Sequence, residues 1–187
     1  MIDEKETTRI SKFLSLVLRH KPEVIGLALD ENGWVDVEEL IDKMHGHNYK
    51  ITRDILNSVV ATNNKQRFSF NVDKTKIRAN QGHSIQVELD LKEMTPPEYL
   101  YHGTGEKFVP SILKTGLQKR ARHHVHLSGD IPTAIAVGSR HGKPKVFTVA
   151  AQQMQQDGYK FYLSENNIWL TDHVPVQYLK LIPDSIK

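Results

Sequence analysis

The run of residues from position 120 to 128 contains the side chains of this sequence that are best suited to binding an anion. It consists of Arg-Ala-Arg-His-His-Val-His-Leu-Ser. If this run is a β-strand, alternation of side chains places a guanidinium, two imidazoles and a hydroxyl on one face: Arg122, His124, His126 and Ser128. Arginine offers a fixed fork of donors to an oxyanion, and histidine can donate or accept near neutral pH. The pattern therefore predicts a phosphate-binding surface.

Two other interpretations of this run stay open. An isolated basic run is more often a solvated edge strand than a binding site. A metal site is disfavoured, because the chain has no cysteine, the next acidic residue is Asp130, and only two of the three histidines share a face. Phosphate binding is favoured by the other basic residues of the chain, which lie on separate predicted elements.

The composition is typical of a globular protein without a membrane span. The chain has 187 residues, 39% of them hydrophobic and 25% charged, with no long apolar run. The first residues are mixed in charge and lack the apolar core of a secretion signal, so we expect a cytoplasmic protein. The absence of cysteine excludes disulfides and thiolate metal sites.

Charge is distributed unevenly over the first half of the chain, although the net charge is only +3. Residues 30 to 42 contain six acidic residues and no basic one. Residues 43 to 80 contain eight Lys or Arg and two acidic residues, which leaves a local excess of +6. Such an excess is typical of a polyanion-binding surface, although a solvated face is its commoner cause.

The first element that must position basic residues is an N-terminal helix. Apolar residues at helical spacing predict an amphipathic helix over residues 9 to 20, capped by Thr8 and ended by Pro22. Arg19 and His20 then lie at its C-terminal end, where cations interact favourably with the helix dipole. That is a sufficient structural reason for either residue alone, so a functional role requires both to face a cleft.

Two more helices and a hairpin follow this helix. A capping box that starts at Asp36 predicts a second helix, and apolar spacing predicts a third over residues 52 to 63. Apolar and basic residues on both sides of a polar turn predict a β-hairpin over 67 to 79, which carries Arg67 and Arg78. Three short helices and a hairpin occur in this order in the winged helix, a fold often used to bind nucleic acid.

The boundary between two domains is predicted at the Pro-Pro pair of positions 96 and 97, because consecutive prolines cannot extend a regular element. It divides the chain into residues 1–94 and residues 95–187. The connecting segment before the boundary contains one predicted strand, over residues 85 to 89.

The second domain is predicted to be rich in β-strands. Residues 99 to 105 are predicted to form a strand ending in a glycine turn, where a backbone can approach a ligand closely. The later predicted elements are helices over 109–115, 132–137 and 150–156, and strands over 145–150, 159–163, 168–171 and 176–181. The sequence contains no phosphate loop and no dinucleotide-binding glycine motif, so any nucleotide site must be built in another way.

Motifs spread over nearly the whole chain match one enzyme family in their order and spacing. They are Ser11–Ser15, Leu18–Pro22, Gly33–Trp34, Lys65–Phe68, Ile77–Ser84, Leu100–Thr104, Arg122 with His124–Ser128, and Asn167–Thr171. Taken together, they resemble the RNA 2'-phosphotransferase family. The members of this family are NAD-dependent enzymes that remove an internal 2'-phosphate from RNA, and they include the tRNA 2'-phosphotransferases of tRNA splicing. Any one motif is weak evidence for the resemblance, whereas all of them in this order are specific to the family.

The resemblance implies an α+β fold in which a winged-helix-like RNA-binding lobe precedes an ADP-ribosyltransferase-like lobe, with the active site between them. It implies a phosphate-handling set that consists of Arg19, His20, Arg67 and Arg122. It also implies an NAD site that contains His102, Gly103, Thr104, His126 and Ser128. NAD is then a co-substrate and RNA carrying a 2'-phosphate is the partner. We expect a monomer with no bound metal and no membrane association.

The reaction implied by the resemblance has two steps. The RNA 2'-phosphate first replaces nicotinamide on the ribose of NAD, giving an ADP-ribosylated 2'-phosphate. The ribose 2''-hydroxyl then attacks the phosphorus, releasing RNA and ADP-ribose 1'',2''-cyclic phosphate. Because a phosphate monoester with a second pKa of about 6 is mostly dianionic at neutral pH, the first step needs no general base. The departing RNA oxygen needs a proton, and His20 is the first candidate to donate it.

Three other functions were weighed. Related protein ADP-ribosyltransferases have a glutamate where this chain has Ile168, with Glu165 nearby, and this difference disfavours a protein-modifying transferase. An ADP-ribosyltransferase that caps nucleic-acid phosphates would stop after the first step and accumulate ADP-ribosylated RNA. A non-catalytic winged-helix RNA-binding protein would have a degenerate second lobe, and NAD would then fail to raise its melting temperature.

Overall fold

The computed structural model describes residues 3–89 and 91–183. The chain forms two compact units, Met1–Asp90 and Leu91–Lys187. Helices and small antiparallel sheets occur in both units, so the α+β class predicted from the sequence is confirmed. Within the described residues, no helix has both the length and the apolar composition needed to cross a membrane.

The first unit packs three helices against a small antiparallel sheet. The helices are α1 (Glu4–Arg19), α2 (Val37–His45) and α3 (Arg53–Ala61), and the strands are β1 (Val35–Asp36), β2 (Phe68–Phe70) and β3 (Lys76–Ala79), in the order β1-β3-β2. Their apolar faces form one buried core, which includes Leu14, Leu40, Leu56 and Ile77. The predicted second and third helices and the hairpin are confirmed, whereas β1 was not predicted.

Helix α1 starts earlier than its apolar spacing predicted. Asp3 is its N-cap and accepts a hydrogen bond from the backbone N–H of Glu6 at 2.7 Å, so the prediction of Thr8 as the cap is wrong. Acidic residues in the first turn interact favourably with the helix dipole and support the additional residues. The predicted end is confirmed, because Arg19 is the last helical residue and His20 is the C-cap.

The strand predicted over residues 85 to 89 is absent from the structure. A strand needs a partner along its length, and the hydrogen bonds between this segment and the loop before β1 lie at one residue, Glu88. The backbone N–H of Glu88 donates to Glu31 at 2.6 Å, and the side-chain amide of Asn32 donates to the carbonyl of Glu88 at 2.7 Å. Val87 is buried, which accounts for the apolar character of the segment.

The second unit contains two three-stranded antiparallel sheets, a short strand pair and three helices. The first sheet has the order β11-β7-β4, from β4 (Leu100–Gly105), β7 (Pro144–Val149) and β11 (Leu179–Leu181). The second has the order β6-β9-β8, from β6 (Val125–Leu127), β8 (Phe161–Leu163) and β9 (Trp169–Thr171). The pair is β5 (Leu117–Gln118) with β10 (His173–Val174), and the helices are α4 (Val109–Thr115), α5 (Ile131–Gly138) and α6 (Ala151–Gln156).

The predicted helices of this unit and most of its predicted strands are confirmed. The main difference at the end of the chain is that residues 176 to 178 form a short 3-10 helix before β11. The two sheets meet where Tyr101 and Ser128 exchange backbone hydrogen bonds of 2.9 and 2.8 Å. This bridge brings β4 and β6 side by side, and these strands carry the residues predicted to bind NAD.

The basic run at 120 to 128 is only partly a strand. Residues 125 to 127 pair with β9, whereas residues 120 to 124 form a turn and bends in which Arg120 has a φ of 53°. A positive φ is incompatible with a continuous strand, so the prediction of a strand over the whole run is wrong. Arg122 is therefore positioned by this turn instead of by strand alternation.

Candidate functional site

The end of α1 holds Arg19 and His20 against the segment that follows the hairpin. The backbone N–H of Ser84 donates to the carbonyl of Arg19 at 2.9 Å. The hydroxyl of Ser84 lies 2.8 Å from Nδ1 of the His20 ring. Ser84 thus fixes both the backbone and the imidazole at the end of the helix. Ser84 was not among the predicted site residues, although it belongs to one of the family-like motifs.

Arg67 is held by two asparagines at the start of the hairpin. Oδ1 of Asn63 accepts from the backbone N–H of Lys65 at 3.2 Å and from that of Arg67 at 3.4 Å, and Nδ2 of Asn63 donates to Ser11 of α1 at 2.9 Å. Asn63 therefore connects the segment that carries Arg67 to the first helix. Sequence reasoning used Asn63 only as the end of a helix, because nothing local in the sequence reveals its contact with α1.

Asn80 supports the same segment from the other side. Its backbone N–H donates to the carbonyl of Arg67 at 2.9 Å, and its side-chain amide donates to the carbonyl of Gln66 at 2.7 Å. Gln66 has a φ of 42°, a left-handed conformation that costs a residue with a side chain about 1 kcal/mol or more. Asn80 is buried, so these bonds are shielded from water and stabilise that backbone directly before Arg67.

Arg19 and Arg67 line the same groove of the first unit. The groove lies along α1 and α3 and has a volume of about 1070 Å³. Two more cations, Lys12 and Lys65, also line it. The structure thus brings together two of the four residues predicted to handle phosphate. His20 is the residue directly after Arg19 and is exposed.

In the second unit, β4 and β6 bring His102 to the backbone of His126. Nδ1 of His102 lies 3.1 Å from the carbonyl oxygen of His126. Because a carbonyl only accepts, Nδ1 must carry the proton. Burial lowers the pKa of His102 below its ordinary value; the bond to His126 opposes this shift and the charge of Arg122 adds to it. A neutral ring with its proton on Nδ1 presents Nε2 as a hydrogen-bond acceptor.

Arg122 contacts the ring of His126. Nη1 of the guanidinium lies 3.4 Å from Nδ1 of His126. Because a guanidinium only donates, Nδ1 of His126 accepts, and the proton of the neutral ring is on Nε2. The two histidines therefore have complementary roles, with an acceptor at Nε2 of His102 and a donor at Nε2 of His126.

His124 does not join this arrangement. Its ring packs edge-on against Tyr162, with ring centroids 5.7 Å apart. Burial lowers the pKa of His124, and the neighbouring charges of His123 and Lys119 lower it further, whereas Asp172 opposes the shift. The prediction that Arg122, His124 and His126 form one row on a strand face is therefore wrong, because residues 120 to 124 leave the strand.

Gly103 is a glycine for a packing reason. A Cβ built at Gly103 would lie 1.6 Å from the backbone oxygen of Ala134, so the absence of a side chain allows α5 to pack directly on β4. The predicted glycine turn is wrong in its geometry, because Gly103 and Gly105 are both strand residues. Thr104 and Ser128 are buried beside these elements.

The predicted site residues are thus divided between the two units. The first unit holds Arg19, His20 and Arg67, and the second holds His102, Gly103, Thr104, Arg122, His126 and Ser128. Within residues 3–89 and 91–183, no group of three or more His, Cys, Asp or Glu side chains is placed to hold a metal ion. The chemistry on offer is cationic and hydrogen-bonding, which suits phosphate and hydroxyl groups.

Comparison with known proteins gives a consistent result. A family model described as RNA 2'-phosphotransferase, Tpt1 / KptA family, matches residues 5–173. A "Probable RNA 2'-phosphotransferase" of Flavobacterium johnsoniae is 59% identical over 179 residues, which are 96% of this chain and 98% of that protein. Proteins of the same name from Trichormus variabilis and Escherichia coli O9:H4 are 55% and 50% identical, over 97% and 95% of this chain and 100% and 97% of their own lengths.

Proposed function

Since the chain belongs to the RNA 2'-phosphotransferase (Tpt1 / KptA) family, we propose that it is an enzyme that removes an internal 2'-phosphate from RNA by transferring it to NAD. The observation that carries the proposal is the groove in which Arg19 and Arg67 face the same space, next to His20. With it we propose that the first unit is a winged-helix-like RNA-binding lobe and that the second is ADP-ribosyltransferase-like.

The arginines bind and orient the transferred phosphate in this proposal. A hydrogen bond to a charged group contributes about 1.5 to 3 kcal/mol, so Arg19 and Arg67 together supply several kcal/mol of positioning. Arg122 is proposed as the third arginine of the set. Backbone hydrogen bonds from Ser84 and Asn80 hold the backbone carbonyls of Arg19 and Arg67 in place.

His20 is proposed to donate a proton to the departing 2'-oxygen of the RNA. Its Nδ1 lies 2.8 Å from the hydroxyl of Ser84, so the ring is oriented and Nε2 is the nitrogen that donates. We expect His20→Ala to slow the release of RNA more than the release of nicotinamide in a single turnover. Equal slowing of both steps would contradict this role.

The second unit is proposed to bind NAD. Its donor set fits that molecule, because a diphosphate is bound by cations and N–H donors and a ribose hydroxyl by an acceptor. His126 supplies an N–H donor, and Nε2 of His102 supplies the acceptor. As co-substrate, NAD provides the ribose that takes the phosphate through an ADP-ribosylated 2'-phosphate, yielding nicotinamide and ADP-ribose 1'',2''-cyclic phosphate.

The test is to incubate the purified protein with a short RNA that bears one internal 2'-phosphate, with and without NAD. RNA mass and nicotinamide release are followed over time. We expect loss of one phosphate, only in the presence of NAD. A stable ADP-ribosylated RNA would instead indicate a capping transferase, and a protein that NAD does not stabilise thermally would indicate an RNA-binding protein without activity.

Variants assign the residues once activity is measured. Replacing Arg19, Arg67 or Arg122 by Gln is expected to lower kcat about 100-fold or more, the usual effect of removing a donor to developing charge. Arg53→Gln is the matched control, because the Arg53 guanidinium pairs with Glu38 at 3.0 Å. Equal losses in the control and in the three variants would indicate a general effect of surface charge.

A further inference from the structure

The groove that contains Arg19 and Arg67 is longer than a single phosphate requires. Residues of α1 spaced by about one turn line one side of it, from Glu4 and Thr8 through Ser11 and Ser15 to Arg19. At a rise of 1.5 Å per residue, the eight steps from Ser11 to Arg19 span ~12 Å. A ligand that fills the groove therefore extends well beyond the phosphate held at Arg19.

The charges in the groove are separated along its length. Lys12 and Lys65 add positive charge to that of the two arginines. Two acidic residues also line the groove, but Glu4 is at the opposite end of α1 from Arg19, and Asp54 is in the first turn of α3, at the other end of that helix from Asn63. The cationic part of the groove suits a second and a third phosphate, and the acidic residues limit how far a polyanion extends.

The walls of the groove offer hydroxyl oxygens. The hydroxyl of Ser15 donates to the carbonyl of Ser11 at 2.9 Å, and that of Thr62 donates to the carbonyl of Ser58 at 2.7 Å. Because each hydroxyl has one hydrogen, these oxygens can only accept from a ligand. A ribose 2'-hydroxyl can donate to such an acceptor, whereas a deoxyribose cannot.

We propose that this groove binds the single RNA strand that flanks the 2'-phosphorylated nucleotide, with Lys12 and Lys65 contacting its backbone phosphates. The inference rests on the proposed function, because it assumes that Arg19 and Arg67 bind the 2'-phosphate of the same strand. Phosphate contacts fix the register of a strand without reading its bases. The affinity of the groove for RNA therefore depends on the length of the strand and not on its base sequence.

Asn63 gives the lysine contacts a fixed geometry. It accepts from the backbone N–H groups of Lys65 and Arg67 and donates to Ser11, so one side chain sets the spacing between the hairpin cations and α1. A surface lysine on a long side chain is often mobile, whereas the backbone of Lys65 is anchored on the same residue as that of Arg67. The backbones that carry the two cations are therefore held at a fixed spacing.

The experiment compares Lys12→Gln and Lys65→Gln with Lys50→Gln, an exposed lysine of the same unit that does not line the groove. The probe is a fluorescein-labelled ten-nucleotide RNA without a 2'-phosphate, measured by anisotropy over a series of salt concentrations. We expect each groove variant to weaken binding roughly fivefold, as an exposed charge contact does, and to reduce the slope of log affinity against log salt by ~0.7. A DNA strand of the same sequence is expected to bind more weakly.

A second measurement uses substrates of two lengths. The groove variants are expected to raise KM more for a ten-nucleotide RNA with an internal 2'-phosphate than for a dinucleotide with the same group. Equal effects on both lengths, or a Lys50→Gln effect as large as theirs, would overturn the proposal, as would an unchanged salt slope. If the wild-type protein converts neither substrate, the proposed function fails, and the anisotropy measurement still decides whether the groove binds RNA.

Discussion

Gly103→Ala is the substitution whose effect the structure defines most sharply. Gly103 lies in β4, and a Cβ at this position would stand 1.6 Å from the backbone oxygen and 2.5 Å from the carbonyl carbon of Ala134 in α5. Both atoms belong to the backbone, so no side chain can rotate away to make room. Helix α5 must shift away from β4, or the strand must distort.

The magnitude follows from two opposing effects. Overpacking a well-filled site costs about 1 to 3 kcal/mol, and a clash with backbone belongs at the upper end of that range. The lower entropy of the unfolded alanine chain offsets only about 0.4 to 1 kcal/mol. We therefore expect a net loss of about 2 kcal/mol. For a protein of this size each kcal/mol lowers Tm by about 2 to 4 °C, so the expected fall is ~4–8 °C.

The assay is thermal and urea unfolding followed by circular dichroism, with Gly129→Ala as the matched control. A Cβ at Gly129 would meet no atom within 4 Å, so this variant is expected to stay within about 0.5 kcal/mol of the wild type. If Gly103→Ala were as stable as the control, the packing of α5 on β4 described above would be wrong. If it were stable but no longer bound NAD, the glycine would be required by the ligand instead.

Two further predictions concern the candidate site. Asn63→Ala is expected to cost about 1 to 2 kcal/mol of stability and to raise KM for 2'-phosphorylated RNA, because the backbone of Arg67 loses an anchor. Unfolding and kinetics of Asn57→Ala, a substitution within α3, provide the control, and equal effects in both variants would count against the anchoring role. Because the pKa of His102 is lowered in the folded protein, the unfolded chain takes up the proton more readily. Stability is therefore expected to fall as pH decreases below about 6.5, the value of an unperturbed histidine. In His102→Gln, the free energy of unfolding from urea titrations should fall less between pH 7 and 5 than in the wild type. An equal fall in both proteins would contradict the role of His102.

The helices of the first unit could be predicted because their determinants are local. Asp36 caps α2 by accepting from two backbone N–H groups of the next turn, as the capping box in the sequence indicated, and Thr52 caps α3 by accepting from the backbone N–H of Ile55. Both caps depend only on residues within one turn. The start of α1 was misplaced because the apolar pattern begins after the cap. Its first turn is exposed and held by Asp3 and by acidic residues, which a search for apolar spacing does not detect.

The strands were predicted less well because a strand exists only with its partner. Residues 85 to 89 are apolar enough for a strand, yet none of them is paired in a sheet in the structure. The two-residue strands β1 and β5 are too short to show any alternation, and they are strands only because β3 and β10 lie beside them. The polar turn of the hairpin, in contrast, is a local feature, and it predicted the position of the hairpin correctly.

The residues that support the candidate site could not be found from local pattern, because their partners are distant in sequence. Ser84 is 64 residues from His20, and Asn63 is 52 residues from Ser11. A serine and an asparagine in loops have many ordinary roles, such as caps and turns. Only the fold shows that Ser84 holds Arg19 and His20 at the C-terminal end of α1. It also shows that Asn63 connects the segment of Arg67 to the side of the same helix.

In the second unit, residue type alone does not determine which ring nitrogen of His102 and of His126 carries the proton. From the sequence, His102 and His126 are two imidazoles, each able to donate or accept. The carbonyl beside His102 forces its proton onto Nδ1, and the guanidinium of Arg122 leaves His126 with its proton on Nε2. Two identical side chains are thereby given opposite hydrogen-bonding roles by one backbone oxygen and one cation. A ligand with a hydroxyl donor next to an anionic acceptor matches that pair, and exchanging Arg122 for an acidic residue would reverse the requirement at His126.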